Sequence, residues 1–219
     1  MKDILFASHN RGKYDELVDD FANEGINLIF YADAGLPEIY FPENSEILAE
    51  NAFEKAAAAA AQTGYYSLGD DSGIFISALD GFPGVHSRRW TGSDVDDKYR
   101  NEKIIELLKD EEDRSVHLIS RFSLVDPNGK QIYKTVVNNE FTIADSIYGS
   151  SGFGYDSILI PSIENVLNSS LDKERKFEIL INKYTIADCS QEEKNAINNR
   201  GRIAKEIKNA LNNLGGENG

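Results

Sequence analysis

The chain opens with an apolar run, a helical segment and a second apolar run, an order that leaves it few folds to choose from. Ile4 to Ala7 reads as a buried strand, Tyr14 to Asn23 as a helix stopped by Gly25, and Ile26 to Tyr31 as another strand. Two strands joined through a helix make a β-α-β unit, and that unit requires a sheet with helical crossovers. Between the first strand and the helix stand Ser8, His9, Asn10, Arg11, Gly12 and Lys13. Unpaired N–H groups and the positive end of the helix dipole meet at such a junction, and Lys13 adds a full charge, so the hexapeptide is a candidate anion site. An N-capped helix with a solvated lysine accounts for it as well. It is not a Walker P-loop, since Ala7 replaces the first glycine and Tyr14 follows Lys13 where Ser or Thr is required.

Ser45 to Thr63 reads as a helix ended by Gly64, and the alanine run Ala56 to Ala61 reads as helix filling. Tyr65 to Leu68 is a short strand delivering Gly69-Asp70-Asp71-Ser72-Gly73, and Ile74 to Leu79 stays extended up to the turn Asp80 to Gly84. A helix is expected from Ser93 to about Lys109. Val116 to Val125 and Gln131 to Ile143 alternate as strands of a hairpin around Asp126 to Gly129, so the middle is β-rich and antiparallel and forms a second lobe. Ser190 and Glu193 make a capping box, and Ala196, Ile197, Ile203, Ala204, Ile207, Ala210 and Leu211 give one last helix an apolar face. Asp110 to Asp113 is a solvated loop, and the tail Gly215 to Gly219 is expected to fray.

With 219 residues, 41% hydrophobic, the chain can bury the core of a single domain or of two joined lobes. Its 23 basic and 37 acidic residues leave a net charge of −14, which opposes nucleic acid and anionic membranes as partners. A small phosphorylated ligand remains open to it where lysines and a divalent metal reverse the field locally. Cys189 is the one cysteine, which excludes an intramolecular disulfide and a multi-cysteine zinc site, and His9, His86 and His117 form no ligand pair. The start of the chain is no signal peptide, and no apolar stretch reaches the roughly 18 residues a membrane span needs, so a cytoplasmic location is expected.

Asp70-Asp71-Ser72-Gly73 sets two carboxylates, a hydroxyl and a flexible backbone side by side, as a hard cation and an adjacent base require. An Asx-turn is the plainer alternative. Adjacent side chains of an extended segment point to opposite faces, so one aspartate is expected to do chemistry and the other to support structure. Glu43 lies just before the alanine-rich helix, while Asn51 and Lys55 share one face of it, from which Lys55 could join Lys13 on a phosphate chain. In Ser151-Gly152-Phe153-Gly154-Tyr155-Asp156 the Phe153 ring between two glycines can stack on a planar ligand or serve as a core residue at a turn. Lys194 and Arg200 fall on the last helix, and a guanidinium suits a carbonyl or phosphate acceptor.

Taken together and in order, these segments resemble the inosine/xanthosine triphosphate pyrophosphatases, the Ham1-like family. The resemblance rests on Ser8-x-Asn10-x-x-Lys13, Glu50-Asn51-Ala52-x-x-Lys55-Ala56, Asp70-Asp71-Ser72-Gly73, Gly81-x-Pro83-Gly84-Val85-x-Ser87-x-Arg89, Gly152-Phe153-Gly154-Tyr155-Asp156 and Glu193-Lys194 followed by Arg200-Gly201. It implies an elongated α/β fold, a mixed sheet with flanking helices in two lobes around a central nucleotide cleft, and usually a homodimer. It also implies hydrolysis of ITP, dITP and XTP to the monophosphate and pyrophosphate with Mg2+, a cleansing of the nucleotide pool. Carried over by position, Ser8, Asn10, Lys13 and Lys55 would hold the triphosphate, with His9, Arg11, Gly12 and Ser72 beside them. Glu43 and Asp71 would bind magnesium, and Asp71 would activate water. Phe153 would stack on the base, with Gly154, Tyr155, Asp156, Lys194, Asn199 and Arg200 around it.

Two departures stand out. The family's Ser-His-Arg is here Asn198-Asn199-Arg200, and an amide that both donates and accepts removes one basis for rejecting adenine. Ser162 to Asn182 reads as an insertion; a lid or an interface arm is conceivable, and a tolerated surface loop is the preferred reading. The rival functions are a Maf-like or broader nucleoside triphosphate pyrophosphatase and a nucleotide-binding protein that has lost turnover.

Overall fold

The opening alternation folds as a parallel crossover: β1 (Lys2–Ala7) pairs with β2 (Ile26–Phe30), Lys2 against Ile26 through Phe6 against Phe30. The computed structural model describes residues 2–36, 38–92, 95–198 and 200–216. The single helix expected over Tyr14–Asn23 is two short ones, α1 (Arg11–Asp15) and α2 (Val18–Asn23). Glu16 and Leu17 lie at the break, and the interruption lets both neighbours turn inward, Leu17 into the core and Glu16 to Arg200.

After α3 (Leu48–Thr63), which ends at left-handed Gly64, comes β3 (Tyr66–Ile76), parallel to β1 and unbroken through Asp70-Asp71-Ser72. The start of α3 lies beyond Ser45, whose backbone N–H and C=O are taken by the Asn51 side chain. Asp96 caps α4 (Asp97–Leu107) by accepting from Tyr99 N at 2.8 Å, so that helix starts later than the expected Ser93, which lies outside the described residues. β4 (Ser115–Val125) and β5 (Gln131–Ile143) follow, then β6 (Leu159–Pro161), antiparallel to β5. The sheet is mixed, with strand order β2-β1-β3-β4-β5-β6. Helices α5 (Ile163–Asn168), α6 (Lys173–Asn182), α7 (Gln191–Asn198) and α8 (Arg202–Gly216) complete the chain.

The chain divides into two compact units, the first made of residues 1–72, 120–137 and 200–219, the second of 73–119 and 138–199. The first buries Phe6, Leu17, Phe21, Leu68, Phe122 and Ile203 among others, the second Ile74, Ile104, Phe141, Ile158, Ile186 and Ile197. The apolar stripe expected on one final helix is therefore shared: Ile197 of α7 belongs to one core, Ile203 and Ile207 of α8 to the other.

Ser162–Asn182 is not a surface loop. Ser162 caps α5 and Asp172 caps α6, Val166 and Ile179 are buried in the second core, and Arg175 reaches Glu193 at 2.6 Å. Ile163, Leu167, Phe177 and Ile181 of the same helices are exposed. Of the tail, Gly215 and Gly216 lie in α8 and 217–219 are outside the described residues. Among the described residues no helix is long and apolar enough to cross a membrane.

Candidate active site

Parallel pairing sets Ala7 of β1 against Gly69 of β3, so the turn leaving β1 comes beside the two aspartates. Carboxyl ends of parallel strands are the usual place for a ligand in α/β sheets. Asp70 and Asp71 point to opposite faces of the strand and have different partners. Asp70 is fully buried, its Oδ1 accepting from Lys13 Nζ at 3.3 Å and Ser72 Oγ at 2.7 Å, its Oδ2 from Arg200 Nη2 at 2.9 Å. The Arg200 guanidinium also donates to buried Glu16 and lies over the Phe122 ring at 5.8 Å.

Asp71 serves the other face. Its Oδ1 accepts from Lys55 Nζ at 2.7 Å and its Oδ2 from Asn51 Nδ2 at 3.0 Å, while Lys55 Nζ also reaches Glu43 Oε1 at 2.9 Å. Helix α3 comes this near because residue 69 is glycine: a Cβ there would stand 1.9 Å from the Ala52 carbonyl oxygen. Ala52 and Ala56 are fully buried at this approach, so the alanine-rich face does more than fill a helix; it lets α3 carry Asn51 and Lys55 to the strand.

Burial opposes the charges of Asp70, Lys55 and Lys13, and their neighbours answer it differently. Burial pushes the Asp70 carboxyl up, but Lys13, Arg200 and the Ser72 hydroxyl overcome it and hold it below its ordinary value. Burial pushes Lys55 down, and Asp71 and Glu43 more than restore it, so its ammonium is raised. Lys13 goes the other way: burial lowers it, Asp70 restores part, and the nearby Lys55 and Arg200 repel. Of the two lysines Lys13 therefore has more to gain from an arriving anion.

Among the described residues, ion pairs here join Lys13, Lys55 and Arg200 to Glu16, Glu43, Asp70 and Asp71. A polyanion entering beside these carboxylates is helped by further positive charge. Glu43 and Asp71 suit that need, because both direct hard oxygen donors at one cation position, now held by Lys55 Nζ. A magnesium-type cation asks for one or two carboxylates and takes phosphate and water for the rest. Among the described residues no group of three or more His, Cys, Asp or Glu could hold a metal by itself.

The second unit builds a different feature. Gly152 and Gly154 have φ of 87° and 61° and frame a half-exposed Phe153. A Cβ on Gly152 would lie 2.1 Å from Asp156 Oδ2 and 2.4 Å from Lys194 Nζ, which are themselves paired at 3.0 Å. Asp156 Oδ2 also accepts from the Phe153 N–H at 3.3 Å. The Gly154 N–H donates to Asp97 Oδ2 at 2.6 Å, and its carbonyl accepts from Asn101 Nδ2 at 2.9 Å. Tyr155 packs against the core; its hydroxyl donates to the Ser87 carbonyl and accepts from Trp90 Nε1 at 3.1 Å, and burial pushes its pKa up.

The structure thus brings Lys13, Glu43, Lys55, Asp71 and Ser72 together, and separately Phe153, Gly154, Asp156 and Lys194. Buried Ser8 accepts from the Asn10 N–H at 3.1 Å, and Asn10 Oδ1 caps α1 by accepting from Lys13 N at 3.3 Å. Two expected ligand side chains are turned elsewhere. His9 hydrogen-bonds Ile39 O at 2.9 Å with its ring against Tyr31 and Phe41, and exposed Arg11 pairs with Asp15 and Asp33. With α1 only five residues long, the helix dipole is small and Lys13 supplies most of the positive charge at this turn. Arg200, expected at the base edge, is held by Glu16 and Asp70. Asn199 lies outside the described residues. Glu16, Asp97 and Asn101 went unrecognised in the sequence; a carboxylate beside apolar Leu17 and an Asp and Asn four apart on a helix were the available signals.

The sequence model of the Ham1 family matches residues 4–210. A dITP/XTP pyrophosphatase of Mycolicibacterium paratuberculosis is 34% identical to this chain, over 98% of each. One from Desulforamulus reducens is 31% identical over 96% of each. The solved structure of a HAM1 protein from Coxiella burnetii matches with a TM-score of 0.73 at 31% identity, covering 97% of this chain and 100% of that one.

Proposed function

The chain belongs to the Ham1 family, and from that membership we propose that it hydrolyses ITP, dITP and XTP, triphosphates of deaminated purines, to the monophosphate and pyrophosphate. The names of its dITP/XTP pyrophosphatase relatives support the substrate. One observation carries the chemistry: two adjacent aspartates in β3 each hold one lysine, Asp70 with Lys13 and Asp71 with Lys55.

Lys13 and Lys55 take the phosphates, with Ser72 and the Ser8–Asn10 turn beside them. Asp71 receives the proton of the water that attacks the α-phosphorus, while Asn51 fixes its second oxygen. Glu16 holds Arg200, Arg200 orients Asp70, and Asp70 orients Lys13. Glu43 and Asp71 are the residues to hold a divalent cation, magnesium by the hardness of the donors, which would neutralise charge developing on the leaving pyrophosphate. Phe153 stacks on the base. Lys194, paired with Asp156, presents a donor that favours an oxygen at purine position 6 and faces adenine's amino group with no acceptor to bond.

We also place the protein in the cytoplasm as a homodimer, a state that light scattering tests. The net charge of −14 disfavours nucleic acid as a partner. A broader substrate range is the second reading, favoured by the amide of Asn199 where the family carries histidine.

The test is pyrophosphate release from ITP, XTP, dITP, GTP, ATP and CTP with and without magnesium. Metal-dependent release from ITP, dITP and XTP well above GTP and ATP supports the proposal. Equal release from GTP or ATP selects the broader range, and no release from any overturns the enzyme reading.

A further inference from the structure

An aromatic ring carried between two glycines is a poor stacking platform unless something holds the loop, because glycine gives the backbone its greatest freedom. Here both peptide planes around Phe153 are held by side chains. Its own N–H is bound by Asp156, and the next N–H, that of Gly154, is bound by Asp97 Oδ2 at 2.6 Å. Peptide planarity means that fixing this second N–H fixes the backbone on the carboxyl side of Phe153. One helical turn beyond Asp97, Asn101 Nδ2 takes the Gly154 carbonyl at 2.9 Å and the Ser157 hydroxyl at 2.9 Å, so Gly154 is gripped at both its polar groups.

The grip is itself braced. Arg100 Nη2 donates to Asp97 Oδ1 at 2.8 Å, and buried Arg100 also donates to the Arg88 and Val95 carbonyls. Asn101 is buried, and its Oδ1 has no hydrogen-bond partner among the described residues, so the amide is retained at a site where burial penalises it. We infer that Asp97 and Asn101 are positioning residues for base recognition, a clamp on the first turns of α4 that pre-sets the Phe153 ring and so governs affinity for the purine rather than the hydrolytic step. The inference rests on the reading of Phe153 as the base-stacking residue.

The experiment is a double-mutant cycle on KM and kcat for ITP, with IMP binding followed through the fluorescence of Trp90, the one tryptophan, whose Nε1 bonds the Tyr155 hydroxyl at 3.1 Å. Asp97→Ala is expected to raise KM for ITP and Kd for IMP by about tenfold, with kcat within about twofold. Asp97→Asn, which keeps an acceptor for the Gly154 N–H, is expected to recover most of that loss. In a Phe153→Ala background the same Asp97→Ala change is expected to add less than about twofold, because its effect passes through the ring. Asn101→Asp, which puts a carboxylate oxygen where the Gly154 carbonyl needs a donor, is a second variant with the same KM-specific pattern. Equal factors in the two backgrounds, with Phe153→Ala itself raising KM, overturn the clamp and leave base stacking intact. An unchanged KM in Phe153→Ala overturns the stacking reading and the clamp with it.

Discussion

Lys13, Lys55, Asp70 and Asp71 in the first unit are oriented by one another and by Arg200, whereas Phe153 in the second is oriented through the peptide groups on either side of it. Charges cannot be left alone in a buried place, so in the first unit they pair with each other. A ring carries no charge to balance and needs only a fixed frame. Removing one member of the first arrangement shifts the load to the remaining partners, as Lys55 without Asp71 keeps only Glu43 among the described carboxylates. The second loses about the worth of a hydrogen bond at each step.

The sharpest break in the comparison is Asp71→Asn. It is expected to lower kcat for ITP by about a thousandfold, the size of a general-base contribution, with nucleotide binding retained by isothermal calorimetry. Next come two glycines. Gly69→Ala drives a methyl to 1.9 Å from the Ala52 carbonyl, backbone against backbone, and is expected to cost about 3 kcal/mol in urea unfolding. Gly152→Ala strains a backbone at φ 87° and pushes on the Asp156–Lys194 pair, so it is expected to raise KM for ITP as well as to lower stability.

Asp70→Asn tests the ionic arrangement by pH. The folded carboxyl titrates below its ordinary 3.8, so its stabilisation is complete above that value and is lost as pH falls below it towards the folded pKa. The variant is expected to be less stable at neutral pH and to show a flatter acid limb when melting temperature is followed from pH 5 to 2. Arg11→Ala marks the small end: its pairs with Asp15 and Asp33 are exposed, and neither melting temperature nor kcat/KM is expected to move beyond error.

The sequence exposes the charged cluster of the first unit because strand, turn and charge are contiguous in it: Ser8 to Lys13 follow β1 directly, and Asp70 and Asp71 are adjacent on one strand. It does not expose where Arg200 goes, since its partners lie 184 and 130 residues away. Asp97 escapes for a related reason, because its partner is a backbone N–H 57 residues further on and no side-chain pattern announces it. The continuous stripe from Ile197 to Leu211 conceals the break between α7 and α8, since helical spacing persists across a turn that hands successive residues to two different cores. In Ser162–Asn182 it is the capping by Ser162 and Asp172 together with the burial of Val166 and Ile179 that makes the segment part of the fold.

The division of labour between the hydrolytic charges of the first unit and the base-recognising groups of the second is tested most directly by the ratio of kcat/KM for ITP to that for ATP in three proteins: wild type, Asp71→Asn and Lys194→Met. Asp71→Asn is expected to lower both rates alike and preserve the ratio, while Lys194→Met is expected to collapse the ratio by lowering ITP turnover alone. A ratio altered by Asp71→Asn, or left intact by Lys194→Met, would overturn this division.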